Sequence, residues 1–214
     1  PVEKALDDVM VVWGQNGEAL RPEQGYPIRL VVPGWEGNLN TKWLNRLEFS
    51  DKPWHAKEET SKYTMLQKSG KAIRFFWVNE VNSVITKPCP EKPWTNLKKG
   101  DMVEIEGLAW SGHGTIKGVD ISFDGGDNWV EAKLKGLVLP KSWTRFSYIY
   151  KWDGKPLFLS SRAYDDFGNV QPTIDEETKA VGVESVYHRN AIVTWEITSK
   201  GECNNVHIRK HHKA

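Results

Sequence analysis

Short apolar segments alternate with polar residues throughout the second half of the chain. From about Asn82 onward, turn residues separate these segments at intervals of ~8–12 residues. Apolar–polar alternation of this kind is typical of half-buried strands. The predicted strands are Val103–Trp110, Gly118–Phe123, Trp129–Leu134, Arg145–Tyr150, Leu157–Tyr164 and Ala191–Ile197. Asp124–Asp127, DGGD, predicts a hairpin turn. About six or seven short strands with this spacing predict an immunoglobulin-like β-sandwich.

The first 80 residues have a different pattern. Residues 1–8 begin with proline followed by helix formers, which predicts a short helix. Apolar or alternating runs predict strands at Val9–Trp13, Ile28–Val32 and Lys42–Phe49, with a turn at Asn16-Gly17. Residues 50–80 are charged and lack a regular period, so they predict a long irregular connection.

Composition excludes several classes of partner. The chain has 214 residues, 39% hydrophobic and 27% charged, which is typical of one large domain or of a domain plus a fragment. The 29 basic and 28 acidic residues nearly cancel, so no overall field indicates nucleic-acid or membrane binding. The sequence contains no apolar run of about 18 residues. Since no signal peptide is seen at Pro1, we expect a cytosolic chain or one already processed.

Candidate chemistry is concentrated in Pro22–Leu44, PEQGYPIRLVVPGWEGNLNTKWL. Arg29 begins an apolar run that ends at Pro33-Gly34, and the polar residues Asn38, Asn40, Thr41 and Lys42 follow. A guanidinium binds phosphate with two donors, an ammonium adds a point charge, and Asn and Thr add neutral hydrogen bonds. The segment therefore predicts either an anion site or a strand end followed by a solvated turn.

Three runs within this segment follow one another in a fixed order. They are QGYPIR at Gln24–Arg29, VVPG at Val31–Gly34 and NTKWL at Asn40–Leu44. This order resembles the molybdopterin-binding end of the sulfite oxidase family. The runs WGQNGEALRPEQGYP and EETSKYT are similar in particular to the sulfane dehydrogenase branch, the molybdenum subunit of the bacterial periplasmic sulfur-oxidation system. In the second half, GLAWSG, the DGG-x-x-W hairpin, DFGNVQP and the Tyr187-His188 pair resemble the family's dimerisation domain.

The resemblance implies a mainly β fold, in which a C-terminal immunoglobulin-like β-sandwich follows the end of an α+β molybdopterin-binding domain. Residues 1–80 are expected to form the end of the cofactor domain with its connecting segment, 81–200 the dimerisation domain, and 201–214 a tail. The cofactor-binding residues that the resemblance implies are Gln24, Arg29, Asn40, Thr41 and Lys42. We expect the charged ends of Arg29 and Lys42 to lie close together, bridged by Asn40 or Thr41.

The resemblance also shows what the sequence lacks. Family members hold molybdenum through the pterin dithiolene and a cysteine thiolate upstream of the pterin loop, and neither Cys89 nor Cys203 matches that position. No metal ligand is therefore assigned, and the catalytic residues stay unknown. Val181 stands where the family has an arginine of the oxyanion pocket. An apolar side chain cannot pair with a sulfur oxyanion, so the substrate stays open between sulfite, sulfane sulfur and another compound. Candidate substitutes for that arginine are Arg145, Arg162 and Arg189.

The function implied is part of a molybdenum-cofactor sulfite or sulfane dehydrogenase that passes electrons to a c-type cytochrome in the periplasm. Molybdopterin is expected to bind together with an N-terminal half that carries the cysteine ligand, and the chain alone is expected to be inactive. The expected partners are that half, a second copy of the chain and the cytochrome, with no nucleic acid and no membrane. The alternative is a non-catalytic secreted β-sandwich that binds a partner or a carbohydrate through some of its 11 tryptophans.

Overall fold

The computed structural model describes residues 1–52, 54, 56–66, 69–73, 76–183 and 188–208. The chain divides into two compact units, unit 1 at Pro1–Asn79 and unit 2 at Glu80–Ala214. Strands outnumber helices in the described residues, and the predicted mainly β fold is confirmed. No helix in the described part of the chain is both long enough and apolar enough to cross a membrane.

Unit 1 is built from short elements. They are α1 (Val2–Asp7), β1 (Met10–Val12), β2 (Gly14–Gln15), β3 (Glu18–Ala19), β4 (Arg29–Val31), α2 (Lys57–Ser61), β5 (Met65–Leu66) and β6 (Ala72–Ile73). β1 pairs antiparallel with β4, and β2 pairs with β3. The helix predicted in residues 1–8, the first two strands and the turn at Asn16-Gly17 are confirmed, and both turn residues have positive φ, 54° and 82°.

Two expectations for unit 1 need correction. The predicted strand at Lys42–Phe49 is wrong, because residues 42–49 form no regular element. Trp43 has a φ of 52°, in the left-handed region, which interrupts an extended strand. The backbone runs beside β4 only briefly, where the Leu30 N–H donates to the Thr41 carbonyl and the Leu44 N–H to the Ile28 carbonyl, each at 2.9 Å. The segment 50–80, predicted to be irregular, contains α2 and the β5–β6 pair.

Unit 2 is a sandwich of two antiparallel sheets. Its elements are β7 (Asn82–Lys87), β8 (Met102–Trp110), β9 (Ile116–Ser122), β10 (Val130–Glu131), β11 (Lys133–Lys135), β12 (Thr144–Lys151), β13 (Leu157–Asp165), α3 (Ile174–Val181), β14 (Thr194–Ile197) and β15 (Cys203–Val206). One sheet has the order β10-β9-β13-β14-β15, and the other has the order β11-β12-β8-β7. This architecture agrees with the predicted immunoglobulin-like sandwich.

Each of the six strands predicted for unit 2 overlaps an observed strand, but Trp129–Leu134 divides between the two sheets. β10 pairs with β9 and β11 pairs with β12, with buried Ala132 between them. Three elements were not predicted, namely β7, α3 and β15. β15 lies inside the range expected to be a tail, and the end of that range, residues 209–214, lies outside the described residues.

The sandwich core is apolar and closely packed. Alternate residues of β8 point inward, so Val103, Ile105 and Ala109 are buried against the facing sheet. Gly107 pairs with Phe146 of β12, and a Cβ at Gly107 would overlap the Phe146 ring. Glycine at this position therefore leaves room for one of the largest buried side chains of unit 2.

A buried amide links the two sheets. The Gln171 Oε1 accepts hydrogen bonds from the Ser83 hydroxyl of β7 at 2.6 Å and from the Ala163 N–H of β13 at 3.2 Å. The Gln171 Nε2 donates to the Asn82 Oδ1 at 2.9 Å. The Ser83 and Ser161 hydroxyls are 2.9 Å apart. One side chain thus satisfies polar groups of both sheets at once.

A buried carboxylate fixes the loop after β13. Asp165 accepts hydrogen bonds from the Ser111 hydroxyl at 2.7 Å, from the Phe167 N–H at 3.0 Å, and from the Asn169 backbone and side-chain amides, both at 2.9 Å. Burial alone would raise the pKa of Asp165, but the hydrogen bonds from Asn169, Ser111 and Phe167 outweigh burial and lower that pKa.

Replacing Gln171 with leucine is expected to lower the free energy of unfolding by about 2–4 kcal/mol, because the Ser83 hydroxyl and the Ala163 N–H lose a buried acceptor. Urea unfolding followed by tryptophan fluorescence measures the change. The matched control is Gln15→Leu, which alters an exposed glutamine of β2. Equal destabilisation by the two substitutions would contradict a linking role for Gln171.

Stability is expected to fall with acid through Asp165. Its pKa is lower in the folded protein than in the unfolded chain, where aspartate titrates near about 4. Its contribution is therefore present above that pH and is lost as the pH falls through the folded pKa. Asp165→Asn is expected to reduce the fall of the urea unfolding midpoint between about pH 5 and pH 2. Asp51→Asn, at an exposed position, should keep the wild-type dependence of the midpoint on pH. Parallel curves for wild type and Asp165→Asn would refute this assignment.

Candidate functional site

Gly25 is the point at which Arg29 and Lys42 approach each other in unit 1. This buried glycine follows the 3-10 turn Pro22–Gln24 and has a φ of 109°, in the region that favours glycine. A Cβ added at Gly25 would lie 3.0 Å from the Lys42 Cβ and 3.2 Å from the Arg29 Cβ. The absence of a side chain at Gly25 therefore lets both cationic residues pack against the same turn.

The Arg29 guanidinium holds the loop from both sides. Its Nη1 donates to the Gln24 carbonyl and its Nη2 to the Asn40 carbonyl, each at 3.0 Å. Its Nε is buried and has no hydrogen-bond partner among the described residues. A buried donor without an acceptor is costly, so this position favours an added anion or carbonyl.

Lys42 binds the same turn. Its ammonium donates to the Glu23 carbonyl at 2.9 Å and lies 5.4 Å from the centroid of the Trp43 ring. The Trp43 indole N–H donates to the Pro22 carbonyl at 2.9 Å. The ends of Arg29 and Lys42 thus bind consecutive carbonyls, those of Gln24 and Glu23. An ammonium has three donors, so Lys42 keeps capacity for a ligand.

The Asn40 side chain is hydrogen-bonded within its own loop. Its Oδ1 accepts from the Val32 N–H at 2.7 Å, and its Nδ2 donates to the Glu36 carbonyl at 2.9 Å and to the Trp35 carbonyl at 3.3 Å. These bonds close the loop after β4. The expected bridge between Arg29 and Lys42, by Asn40 or Thr41, is therefore not formed by the Asn40 side chain.

The remaining predicted residues flank the cluster. The Gln24 Oε1 accepts from the Arg21 N–H at 3.3 Å. Thr41 is exposed, and its hydroxyl makes no hydrogen bond within the described ranges. Asn38, which was noted in the loop but given no role, has a buried Oδ1 without a partner in the part of the chain that the structure describes. Cofactor binding by the five predicted residues stays a prediction.

The residues present fit a phosphate-bearing ligand. Two cations meet at a buried glycine, the Arg29 Nε is buried without a hydrogen-bond partner among the described residues, and Lys42 and Thr41 are exposed. Gly25 lies in the QGYPIR run, and its role at the site is visible only in the structure. Gly25 precedes both cationic residues in the sequence, and only the fold brings Arg29 and Lys42 beside it.

Two of the three candidate oxyanion arginines of unit 2, Arg162 and Arg189, have other partners. Val181 is the last residue of α3. Arg162 pairs with Asp120 at 2.8 Å and lies 4.3 Å from the centroid of the Trp129 ring. Arg189 pairs with the buried Glu177 at 2.8 Å. Exposed Arg145 lies on β12, His188 is buried, and Tyr187 lies outside the described residues.

The two cysteines are free thiols in unit 2. Cys203 is buried in β15, and burial, with smaller effects from Cys89 and Glu91, raises its pKa to about 12. A thiol with such a pKa keeps its proton at neutral pH and is a poor metal ligand. No group of three or more His, Cys, Asp or Glu side chains in the described residues is placed to hold a metal ion.

Two family models match the chain. Residues 1–58 match the family model of the oxidoreductase molybdopterin binding domain, and residues 74–195 match that of the Mo-co oxidoreductase dimerisation domain. The chain therefore combines part of a molybdopterin-binding domain with a dimerisation domain.

Similar proteins include NADH nitrate reductases and a sulfane dehydrogenase. The chain is 31% identical to the enzyme of Spinacia oleracea over 79% of its own length and 21% of that protein, and 27% identical to the enzyme of Ulva prolifera over 97% and 25%. The crystal structure of the sulfane dehydrogenase SoxCD from Paracoccus pantotrophus matches with 51% identity and a TM-score of 0.92, over 98% of this chain and 53% of that chain. The chain therefore spans about half of the sulfane dehydrogenase chain and a quarter or less of these nitrate reductases.

Alanine at Gly25 is expected to speed amide hydrogen exchange at least about tenfold in residues 40–44, because the added Cβ meets Lys42 and Arg29 and the positive φ becomes strained. Exchange followed by mass spectrometry measures this. Gly17→Ala is the matched control, since Gly17 also has a positive φ, 82°, but has no atom within 4 Å of the added Cβ. Unchanged exchange in residues 40–44 of Gly25→Ala would show that Gly25 does not set the position of Lys42.

Proposed function

This chain belongs to the sulfite oxidase family of molybdenum-cofactor oxidoreductases, and we propose that it forms the C-terminal part of an enzyme that oxidises a sulfur compound. The observation that carries this proposal is the 51% identity to a sulfane dehydrogenase over 98% of the chain. Identity to the nitrate reductases is lower, 27–31%. The difference favours a sulfur compound over nitrate as substrate.

Unit 1 contributes the phosphate end of the cofactor site. Arg29 donates from its buried Nε, Lys42 from its exposed ammonium and Thr41 from its hydroxyl. Gly25 and Asn40 act indirectly, because they hold the two cations and the loop in place. When bound, the molybdenum cofactor supplies oxygen-atom transfer and takes up the electrons of the sulfur compound. The residues named here bind and orient the cofactor and touch no substrate.

The metal's thiolate comes from another part of the enzyme. Cys203 is buried with a raised pKa, and Cys89 lies in unit 2 beside a proline-flanked turn. The sulfane dehydrogenase chain is nearly twice as long as this one, since the match covers 53% of it. In this proposal the remaining part of the cofactor domain carries the cysteine ligand, and the present chain does not turn over substrate alone.

Unit 2 provides the contact with a second copy of the chain. Its match to a dimerisation domain supports a homodimer. A c-type cytochrome then accepts the electrons, and the enzyme works in the periplasm. An electron acceptor is required because oxidation of a sulfur compound releases electrons.

The alternative, a secreted module without cofactor, has less support. Trp110 and Trp143 do form a pair, with ring centroids 4.5 Å apart, and Trp143 is exposed. In unit 1, Trp43 and Trp54 are also exposed. A binding module does not explain the match of residues 1–58 to a molybdopterin-binding domain.

Cofactor retention tests the proposal. In complex with the remaining part of the cofactor domain, Arg29→Ala and Lys42→Ala are each expected to weaken molybdopterin binding about tenfold to a hundredfold, since each removes a charged hydrogen-bond donor. Molybdenum analysis and fluorescence of the oxidised pterin measure the cofactor. Arg46→Ala is the control, because Arg46 is exposed and pairs with Glu48. Full retention of cofactor in both test variants would refute the proposed site.

A further inference from the structure

The two cysteines of the chain lie at the same edge of the sandwich. Cys89 follows the end of β7 by two residues, and Cys203 begins β15. β7 is the last strand of one sheet, and β15 is the last strand of the other. The Trp195 indole N–H of β14 donates to the Ile85 carbonyl of β7 at 3.1 Å. β7 therefore contacts the strand that pairs directly with β15.

Two further contacts lie on either side of the cysteine pair. Cys89 and Lys92 face each other across a tight turn, because the Cys89 N–H donates to the Lys92 carbonyl at 3.3 Å and the Lys92 N–H to the Cys89 carbonyl at 2.9 Å. The Trp94 N–H donates to the Gly201 carbonyl at 3.0 Å. A Cβ on Gly201 would overlap the Trp94 carbonyl oxygen. The turn that holds Cys89 thus leads into a segment packed against the residues just before Cys203.

The two thiols differ in their access to solvent. Cys203 is 6% exposed and lies in the apolar core of the sandwich, whereas Cys89 is half-buried. Burial is the main cause that raises the pKa of Cys203 to about 12, and charge at Cys89 raises it further. Since charge–charge effects are screened beyond about 10 Å, the two sulfur atoms lie close together. Cys89 is the thiol that a reagent in solution reaches first.

We propose that Cys89 and Cys203 form an intramolecular disulfide when the folded protein meets a disulfide oxidant. The Cys89 thiolate attacks one sulfur of the oxidant, releases the other as a thiolate, and forms a mixed disulfide. Cys203 then gives up its proton and attacks the Cys89 sulfur, which releases the second thiolate. The two cysteines lose two electrons and two protons in total, and the oxidant is reduced to two thiols.

The bond would tie the end of β7 to the start of β15. β15 has four residues, and β14 is its one paired strand within the described part of the chain. A link between distant parts of a chain stabilises the fold mainly by restricting the unfolded state, and the effect grows with the length of the closed loop. The inference does not depend on the cofactor site. The periplasm of the proposed function is a compartment in which disulfides persist.

Oxidation of the folded chain tests the inference. The full chain is purified in reductant, transferred to glutathione disulfide below its unfolding temperature, quenched with acid and alkylated in denaturant. We expect loss of both thiols, a monomer lighter by about 2 Da, and a linked peptide pair that contains Cys89 and Cys203. We also expect oxidation to raise Tm by at least about 5 °C. Cys89→Ser and Cys203→Ala are the matched controls, and oxidation should raise the Tm of neither.

The other outcomes would overturn the inference. Two alkylated thiols after oxidation would show that the sulfur atoms do not react with each other in the folded protein. A stable glutathione adduct on Cys89 beside an unreacted Cys203 would show the same. A disulfide-linked dimer through Cys89 would assign that thiol to a second copy. An equal rise in the Tm of wild type and Cys89→Ser on oxidation would separate the stabilisation from the bond and refute the proposed tie.

Discussion

Polar groups that leave water on folding must find partners, and in each unit one side chain satisfies this constraint for several segments at once. In unit 2 the Gln171 amide binds Ser83, Ala163 and Asn82, and so joins strands of both sheets. In unit 1 the Arg29 guanidinium binds the carbonyls of Gln24 and Asn40, and so joins the two sides of one loop. Both links depend on multivalent planar groups, which shorter side chains cannot replace.

The two units differ in what surrounds these links. Gln171 lies beside an apolar core in which Ile105, Ile121 and Leu159 are fully buried, so the sandwich is stabilised by burial and positioned by polar bonds. Arg29 has no comparable core around it among the described residues. The loop that it holds therefore relies on hydrogen bonds, which contribute only about 0.5–1.5 kcal/mol each.

Regular alternation made most of unit 2 predictable from the sequence. β8, β12 and β13 are long enough for the period of two to stand out, and the Asp124–Asp127 turn follows β9. β15, whose sequence is CNNV, lacks that pattern, because pairing with β14 rather than burial of both faces holds it in the sheet. The sequence signal for α3 is the capping box of Thr173 and Glu176. Lys42–Phe49 had the pattern of a strand, yet the left-handed Trp43 prevents one.

The sequence predicts which residues form the candidate site but not which of them hold the loop and which are left for a ligand. Side-chain chemistry alone predicted that Arg29, Asn40 and Lys42 all donate to the ligand, whereas the fold uses Asn40 and two of the three Arg29 nitrogens to fix the loop. That use has a functional consequence. A guanidinium held by two carbonyls cannot reorient, so its remaining Nε has one direction before any ligand arrives. Binding of an anion then requires little further ordering of the protein, which is the condition under which a few hydrogen bonds hold a cofactor tightly.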